Sequence, residues 1–307
     1  MHFNTEEMRQ IEILATPGTK IAYLFLFLLI GLITAGILTP IILMIPGLNN
    51  GGELVSIYMG SAIQSLFAIA LPAFLVAALT HPAPMHYLKI EKSRKMGEKV
   101  IFTLLLFLFS YLFAAFLSQW NRGIVLPQWL NGIEQTMRSM EDAALESTDL
   151  LLSVETTGGL LLNLLIVAGF AALSEELFFR GALQQFLQEK FRNGHAAVWV
   201  SALIFSMVHF QFYGFFPRLF LGALLGYLFL NTGNLWLPII FHFINNATVL
   251  VVNYIWRDAG WLKNLDDMPL TLPFIVGAIT SLLITFLLFW AYYKKNAQPT
   301  LPTDISV

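Results

Sequence analysis

Eight runs of apolar residues, each close to the length at which a helix crosses a bilayer, dominate this chain. About twenty residues in a helix cover the ~30 Å hydrocarbon core. The runs fall at 21–45, 58–80, 99–119, 158–188, 196–213, 216–231, 235–256 and 270–293. In lipid every backbone N–H and C=O must find a partner inside the protein, and runs of this kind satisfy that as helices. The fold class that follows is all-α: a polytopic membrane protein with about eight transmembrane helices. Composition agrees, since 57% of the 307 residues are hydrophobic and 12% are charged, about half the charged share of a soluble domain.

Charge and cysteine content remove several classes of function. A net charge of −2 does not point to nucleic acid. With no cysteine, disulfides, iron–sulfur clusters, thiolate zinc sites and a cysteine nucleophile are all excluded. The polar N-terminal stretch MHFNTEEMRQ precedes the first apolar run, the wrong order for a cleavable secretory signal, so that run reads as a retained span. Lys and Arg in the connecting segments set the orientation. With the N-terminus inside, the inner segments hold Arg9, Lys20, Lys89, Lys92, Arg94, Lys95, Lys99, Lys190, Arg192, Lys294 and Lys295. The outer segments hold only Arg122, Arg138, Arg218, Arg257 and Lys263. Eight spans then place both termini in the cytoplasm, in a bacterial-type cytoplasmic membrane. Residues 131–153 read as an amphipathic, acidic helix on the outer surface. No internal repeat is visible, and the chain reads as one domain in three parts: 1–157 (N-terminal helices and the outer segment), 158–256 (a core) and 257–307 (last helix and tail).

The core holds ionisable residues where lipid-facing side chains would be expected. Segment 173–184 reads LSEELFFRGALQ, with Glu175, Glu176 and Arg180 inside an apolar run. His209, His242 and Asn246 lie in other runs, whereas His2, His81, His86 and His195 fall in the tail or loops. Intramembrane charge is costly and marks function or pairing. At 1.5 Å per residue, Glu175 lies about 15 Å from the inner boundary, His209 about 20 Å, His242 about 10 Å and Asn246 about 16 Å. Four polar residues from three helices therefore reach a similar depth, in the inner half of the membrane.

Helical phase separates their roles. Glu175 and Glu176 diverge by about 100° around the axis. Glu176 and Arg180, at i and i+4 with the acid first, have the favourable order for an ion pair, which leaves Glu175 free to face another helix. His242 and Asn246 share one face of their run, and Phe205 stands beside His209 as a packing wall. A carboxylate in a water-poor bundle can act as a base toward water, and an imidazole beside it can share the proton. A second imidazole and an amide suit an oxyanion. Ser174 and Ser206 lie nearby, but helical serines commonly bond back to backbone. Each residue also has a plainer reading. The Glu176–Arg180 pair can be structural alone, a single buried His can be a helix contact, and Asn245, Asn246 or Asn253 can be hydrogen-bonding glue between helices. Gly222 and Gly226 read as close-packing positions.

Three segments together resemble the CPBP family, the CAAX-protease and bacteriocin-processing (Abi) intramembrane peptidases. EExxxR is matched by Glu175-Glu176-Leu-Phe-Phe-Arg180, FxxxH by Phe205-Ser-Met-Val-His209, and HxxxN by His242-Phe-Ile-Asn-Asn246. The resemblance covers roughly 158–256 and implies an intramembrane endopeptidase acting on a membrane-associated peptide or protein, with or without a lipid on it. Eukaryotic members remove the last three residues of prenylated CaaX proteins. In that picture Glu175 and His209 activate water, His242 and Asn246 stabilise the oxyanion, and Glu176 and Arg180 hold the site. Metal-free glutamate catalysis is favoured, because HExxH is absent and Asn is a poor transition-metal ligand. A zinc site built from Glu175, His209 and His242 stays open as the alternative. Two other classes compete: a non-catalytic membrane scaffold or bacteriocin-immunity protein, and a transporter, although matching repeated halves are missing.

Overall fold

A computed structural model describes residues 16–46, 52–91, 95–259 and 269–296. Arg9, Lys92, Arg94 and Lys263 of the charge count, with His2 and most of the N-terminal stretch, lie outside the described residues. In chain order the helices are α1 (Pro17–Leu43), α2 (Gly52–Thr80), α3 (Met96–Arg122), α4 (Asn131–Leu152), α5 (Thr157–Phe191), α6 (Gly194–Met207), α7 (Phe215–Thr232), α8 (Trp236–Trp256) and α9 (Leu272–Asn296). Among the described residues there is no strand. Among the described residues seven helices are long and apolar enough to cross a membrane, and α6 is a shorter apolar one. The chain is an all-α integral membrane protein.

Local sequence explains where the helices begin and stop. Thr16 caps α1, its Oγ1 accepting from the Thr19 N–H at 3.3 Å, and Pro17 occupies the first helical position, where no N–H is needed. Asn193 caps α6 by accepting from the Ala196 N–H at 3.1 Å. Gly233, at φ 58, closes α7 with its N–H on the Phe229 carbonyl, a left-handed position that costs glycine nothing. The next residue, Asn234, accepts from the Trp236 N–H at 3.1 Å and donates to the Glu91 carbonyl at 2.7 Å. Those two bonds start α8 at once and tie it to the α2–α3 connection.

Exposed Leu26, Leu29, Ile33 and Ile37 on α1, and Leu283, Phe286 and Leu287 on α9, give the bundle an apolar exterior. Several polar side chains bond one helix to another. On the lysine-rich side, Lys20 of α1 and the Tyr87 hydroxyl both bond Glu189 of α5, at 2.7 and 2.6 Å. Burial, and then that bond to the Glu189 carboxylate, pushes the Tyr87 phenol above its ordinary range. At the opposite side, Asn163 of α5 accepts from the Tyr58 hydroxyl and donates to the Leu151 carbonyl, each at 2.7 Å, and so joins α2, α4 and α5.

The α6–α7 pair departs from the expected succession of spans. The fifth run, read as 196–213, stops being helical at Met207. At 14 residues, α6 rises only about 21 Å. Phe210 takes φ 54, a short 3-10 turn follows at Phe212–Gly214, and α7 turns back beside α6. His209 therefore sits in a connection inside the bundle and not on a helix.

Candidate active site

α5 delivers two carboxylates on diverging sides. It is not a uniform α-helix, because Leu164–Phe170 and Leu177–Gln184 run in wider π-type turns on either side of Ala171–Glu176. Such turns often accompany functional positions, since they re-aim side chains. Glu176 and Arg180 are fully buried and form an ion pair at 2.7 Å. Arg180 also donates to the Gly222 carbonyl at 2.8 Å, and its guanidinium lies 4.9 Å from the Phe205 ring centre. One turn on, Gln184 donates to the Gly226 carbonyl at 3.0 Å. The missing side chain at Gly226 allows this second contact: a Cβ there would lie 2.9 Å from both Gln184 Oε1 and Val198 Cγ1.

His242 of α8 bridges the two carboxylates. Its Nδ1 lies 2.8 Å from Glu176 Oε1, and its Nε2 lies 3.8 Å from Glu175 Oε2. An ionised carboxylate only accepts, so Nδ1 carries the hydrogen and Nε2 is the atom left toward Glu175. The same logic fixes His209, whose Nδ1 donates to the Phe205 carbonyl at 2.7 Å and leaves Nε2 free. Phe205 stands between the imidazoles, with ring centres 4.9 Å from His209 and 6.1 Å from His242, both edge-on. Helical phase cannot reveal the His242–Glu176 bond, because it depends on how α8 packs on α5.

Glu175, Phe205, His209, His242 and Asn246 all line one cavity of about 450 Å³. Glu176 and Arg180 are not in its lining and lie behind it. Asn246 has its Oδ1 3.3 Å from the Asn245 Nδ2, an arrangement that leaves its own amide N–H groups as donors. The two serines make backbone bonds: Ser174 Oγ to Phe170 at 2.8 Å, and Ser206 Oγ across to the Phe215 carbonyl at 2.7 Å. Neither bonds an imidazole.

Sequence reasoning missed several residues of this site. Arg218, counted there only as an outer-loop cation, lines the cavity and bonds the Gln211 side chain and carbonyl. It is within electrostatic reach of Glu175, and its one sequence signal is a lone Arg in FFPRLFLG. Ser118 of α3 also lines the cavity. Asn121, one turn further along α3, carried no signal at all; its side chain holds the α6–α7 connection, donating to the Phe212 carbonyl at 3.0 Å and accepting from the Phe216 N–H at 2.8 Å.

The donor set was weighed against a zinc ion. Among the described residues no three His, Asp or Glu side chains converge closely enough to hold one. His242 Nδ1 bonds Glu176 and His209 Nδ1 bonds a backbone carbonyl, which leaves each Nε2 as the atom a metal would use. No step is derived through a zinc ion.

Comparison with known proteins finds a family match to the part of the chain that holds these residues. Residues 157–248 match the family model described as type II CAAX prenyl endopeptidase Rce1-like. That stretch contains all three motifs, so the resemblance read from the motifs holds. A Bacillus subtilis (strain 168) protein, "Uncharacterized protein YpbD", is 35% identical over 80 residues, which is 25% of this chain and 38% of that protein. The match thus spans well under two thirds of the relative's length. No solved structure matches the chain.

Proposed function

We propose that this protein is an intramembrane endopeptidase that cuts a membrane-associated peptide or protein with water activated by Glu175. One observation carries the reading. Glu175, His209, His242 and Asn246, drawn from three separate motifs, meet at a single cavity, and all four lie in the segment that matches the prenyl endopeptidase family.

The chemistry follows from the atoms each group presents. A water held between Glu175 and the free Nε2 of His209 loses a proton to the Glu175 carboxylate as its oxygen attacks the carbonyl carbon. The carbonyl π electrons move onto oxygen, and the oxyanion is held by the Asn246 amide and by Nε2–H of His242 in its imidazolium form. When the tetrahedral centre collapses, the C–N bond breaks and Glu175 returns its proton to the leaving amine. Glu176 orients His242 through Nδ1, and Arg180 balances the Glu176 charge. Arg180, Glu176 and the Gly222 carbonyl together make the rigid backing that positions the reacting groups.

The test is cleavage of an internally quenched membrane peptide by the purified full chain, beside Glu175→Gln, with and without chelator. Loss of a general base lowers kcat by about 10²- to 10⁴-fold, so Glu175→Gln is expected to be almost silent, with hydrolysis by the unaltered chain persisting in chelator. Hydrolysis that survives Glu175→Gln would remove the carboxylate from the mechanism. Loss in chelator with recovery on adding zinc would replace water activation by Glu175 with metal chemistry.

A further inference from the structure

The connection between α6 and α7 is non-helical backbone within a membrane bundle, where an unpaired N–H or C=O is costly. Its polar groups are met by side chains from four places. Ser206 of α6 donates to the Phe215 carbonyl at 2.7 Å, and Arg218 of α7 reaches back to Gln211. Glu141 of the surface helix α4 accepts from the Tyr213 N–H at 3.3 Å, and Arg138 of the same helix lies 4.9 Å from the Tyr213 ring centre. Asn121 of α3 spans the turn from a separate helix with a pair of bonds to backbone: its amide donates to Phe212 O and accepts from Phe216 N–H. Asn121 is fully buried. Its two bonds fix the end of the stretch that leaves His209 relative to the start of α7.

We infer that Asn121 is a positioning residue for His209, acting through the α6–α7 connection and from outside the family-matched segment. The demand is specific to an amide, which offers a donor and an acceptor from one planar group. Aspartate keeps the acceptor for Phe216 N–H but presents a second acceptor to the Phe212 carbonyl. Leucine keeps the shape and supplies neither bond. Only Phe210 and Gln211 separate His209 from the Phe212 anchor, and Phe210 holds a left-handed φ of 54. A bulky residue rarely adopts that conformation unless its surroundings impose it. Releasing Phe212 therefore lets this strained stretch relax, and His209 moves with it.

The catalytic consequence rests on the peptidase reading; the structural one does not. Because the chain has no cysteine, a single Phe210→Cys substitution at a side chain 67% exposed accepts one nitroxide label, whose mobility reports the connection without any substrate. Asn121→Leu is expected to convert an immobilised spectrum into one with a mobile component, and Asn121→Asp to fall between. In the unlabelled chain, kcat on the quenched peptide is expected to fall ten- to a hundredfold in Asn121→Leu, as displacement by about 1 Å would produce. KM is expected to stay within about twofold, because the substrate-lining residues are untouched. An unchanged spectrum in both variants would overturn the inference whatever the activity. So would a mobile connection with unaltered kcat, or a loss lying in KM alone. If Asn121→Leu does not fold, the Asn121→Asp spectrum decides in the same way. Absence of hydrolysis in the unaltered chain would count against the peptidase reading and leave the spectra to judge Asn121.

Discussion

At the residue scale, the two adjacent carboxylates differ in what surrounds them. Glu176 is fully enclosed by Arg180 and His242, at 2.7 and 2.8 Å, whereas Glu175 retains 19% side-chain exposure in the cavity. Buried charge is tolerable when it is paired and bonded on several sides. Glu176 has its pairing on one oxygen, Oε1, which both partners reach, and Glu175 faces the cavity. Asn246 supplies the next test of the site. If its amide holds the oxyanion, Asn246→Ala should lower kcat by about 10²- to 10³-fold with little change in KM, the pattern for an interaction made only in the transition state. A rise in KM at constant kcat would instead make Asn246 a substrate-binding group.

At the element scale, the bundle is set by close approach of α5, α6 and α7. Gly222 and Gly226 on α7 were legible as packing positions from their four-residue spacing. What they accommodate was not, because the Arg180 and Gln184 bonds to their carbonyls belong to a pair of helices and not to either one. Gly226→Ala should therefore destabilise the protein by about 1–3 kcal/mol through overpacking against Val198 and Gln184, read as a lower thermal midpoint in detergent. An unchanged midpoint would show that Gln184 yields freely. The motifs themselves were readable because EExxxR and HxxxN each hold an i, i+4 pair within one apolar run. The end of α6 was not. Its stop uses Phe210 in a left-handed conformation where glycine would be the usual signal, so VHFQFY read as the end of the 196–213 span. Asn121 was invisible for a different reason, since a buried amide that caps another segment's backbone leaves no periodic trace.

At the scale of the whole molecule, eight apolar runs translate into seven long helices and the short α6, and the α6–α7 hairpin preserves the count of reversals. The amphipathic run at 131–153 is the surface helix α4, and its Glu141 reaches the connection that carries His209. Orientation remains a matter of charge, with Lys20, Lys95, Lys99 and Lys295 at one end of the bundle and acidic α4 at the other. The absence of cysteine makes this easy to test. A single cysteine in place of Ser147 should react with a membrane-impermeant maleimide from the outside of sealed right-side-out vesicles. One in place of Lys95 should react only after permeabilisation. The opposite pattern would invert the protein and move the route by which substrate arrives.

The division of labour between Glu175 and Glu176 is the central claim, and both halves of it can be measured on the same preparations. Glu175→Gln and Glu176→Gln are each followed for peptide hydrolysis and for thermal unfolding in detergent. The account predicts that Glu175→Gln silences hydrolysis at an unchanged midpoint. It predicts that Glu176→Gln lowers the midpoint, because breaking a buried pair leaves Arg180 uncompensated, a loss of about 3–5 kcal/mol. A Glu176→Gln protein as stable as the unaltered chain, or a Glu175→Gln protein that hydrolyses at full rate, would contradict it.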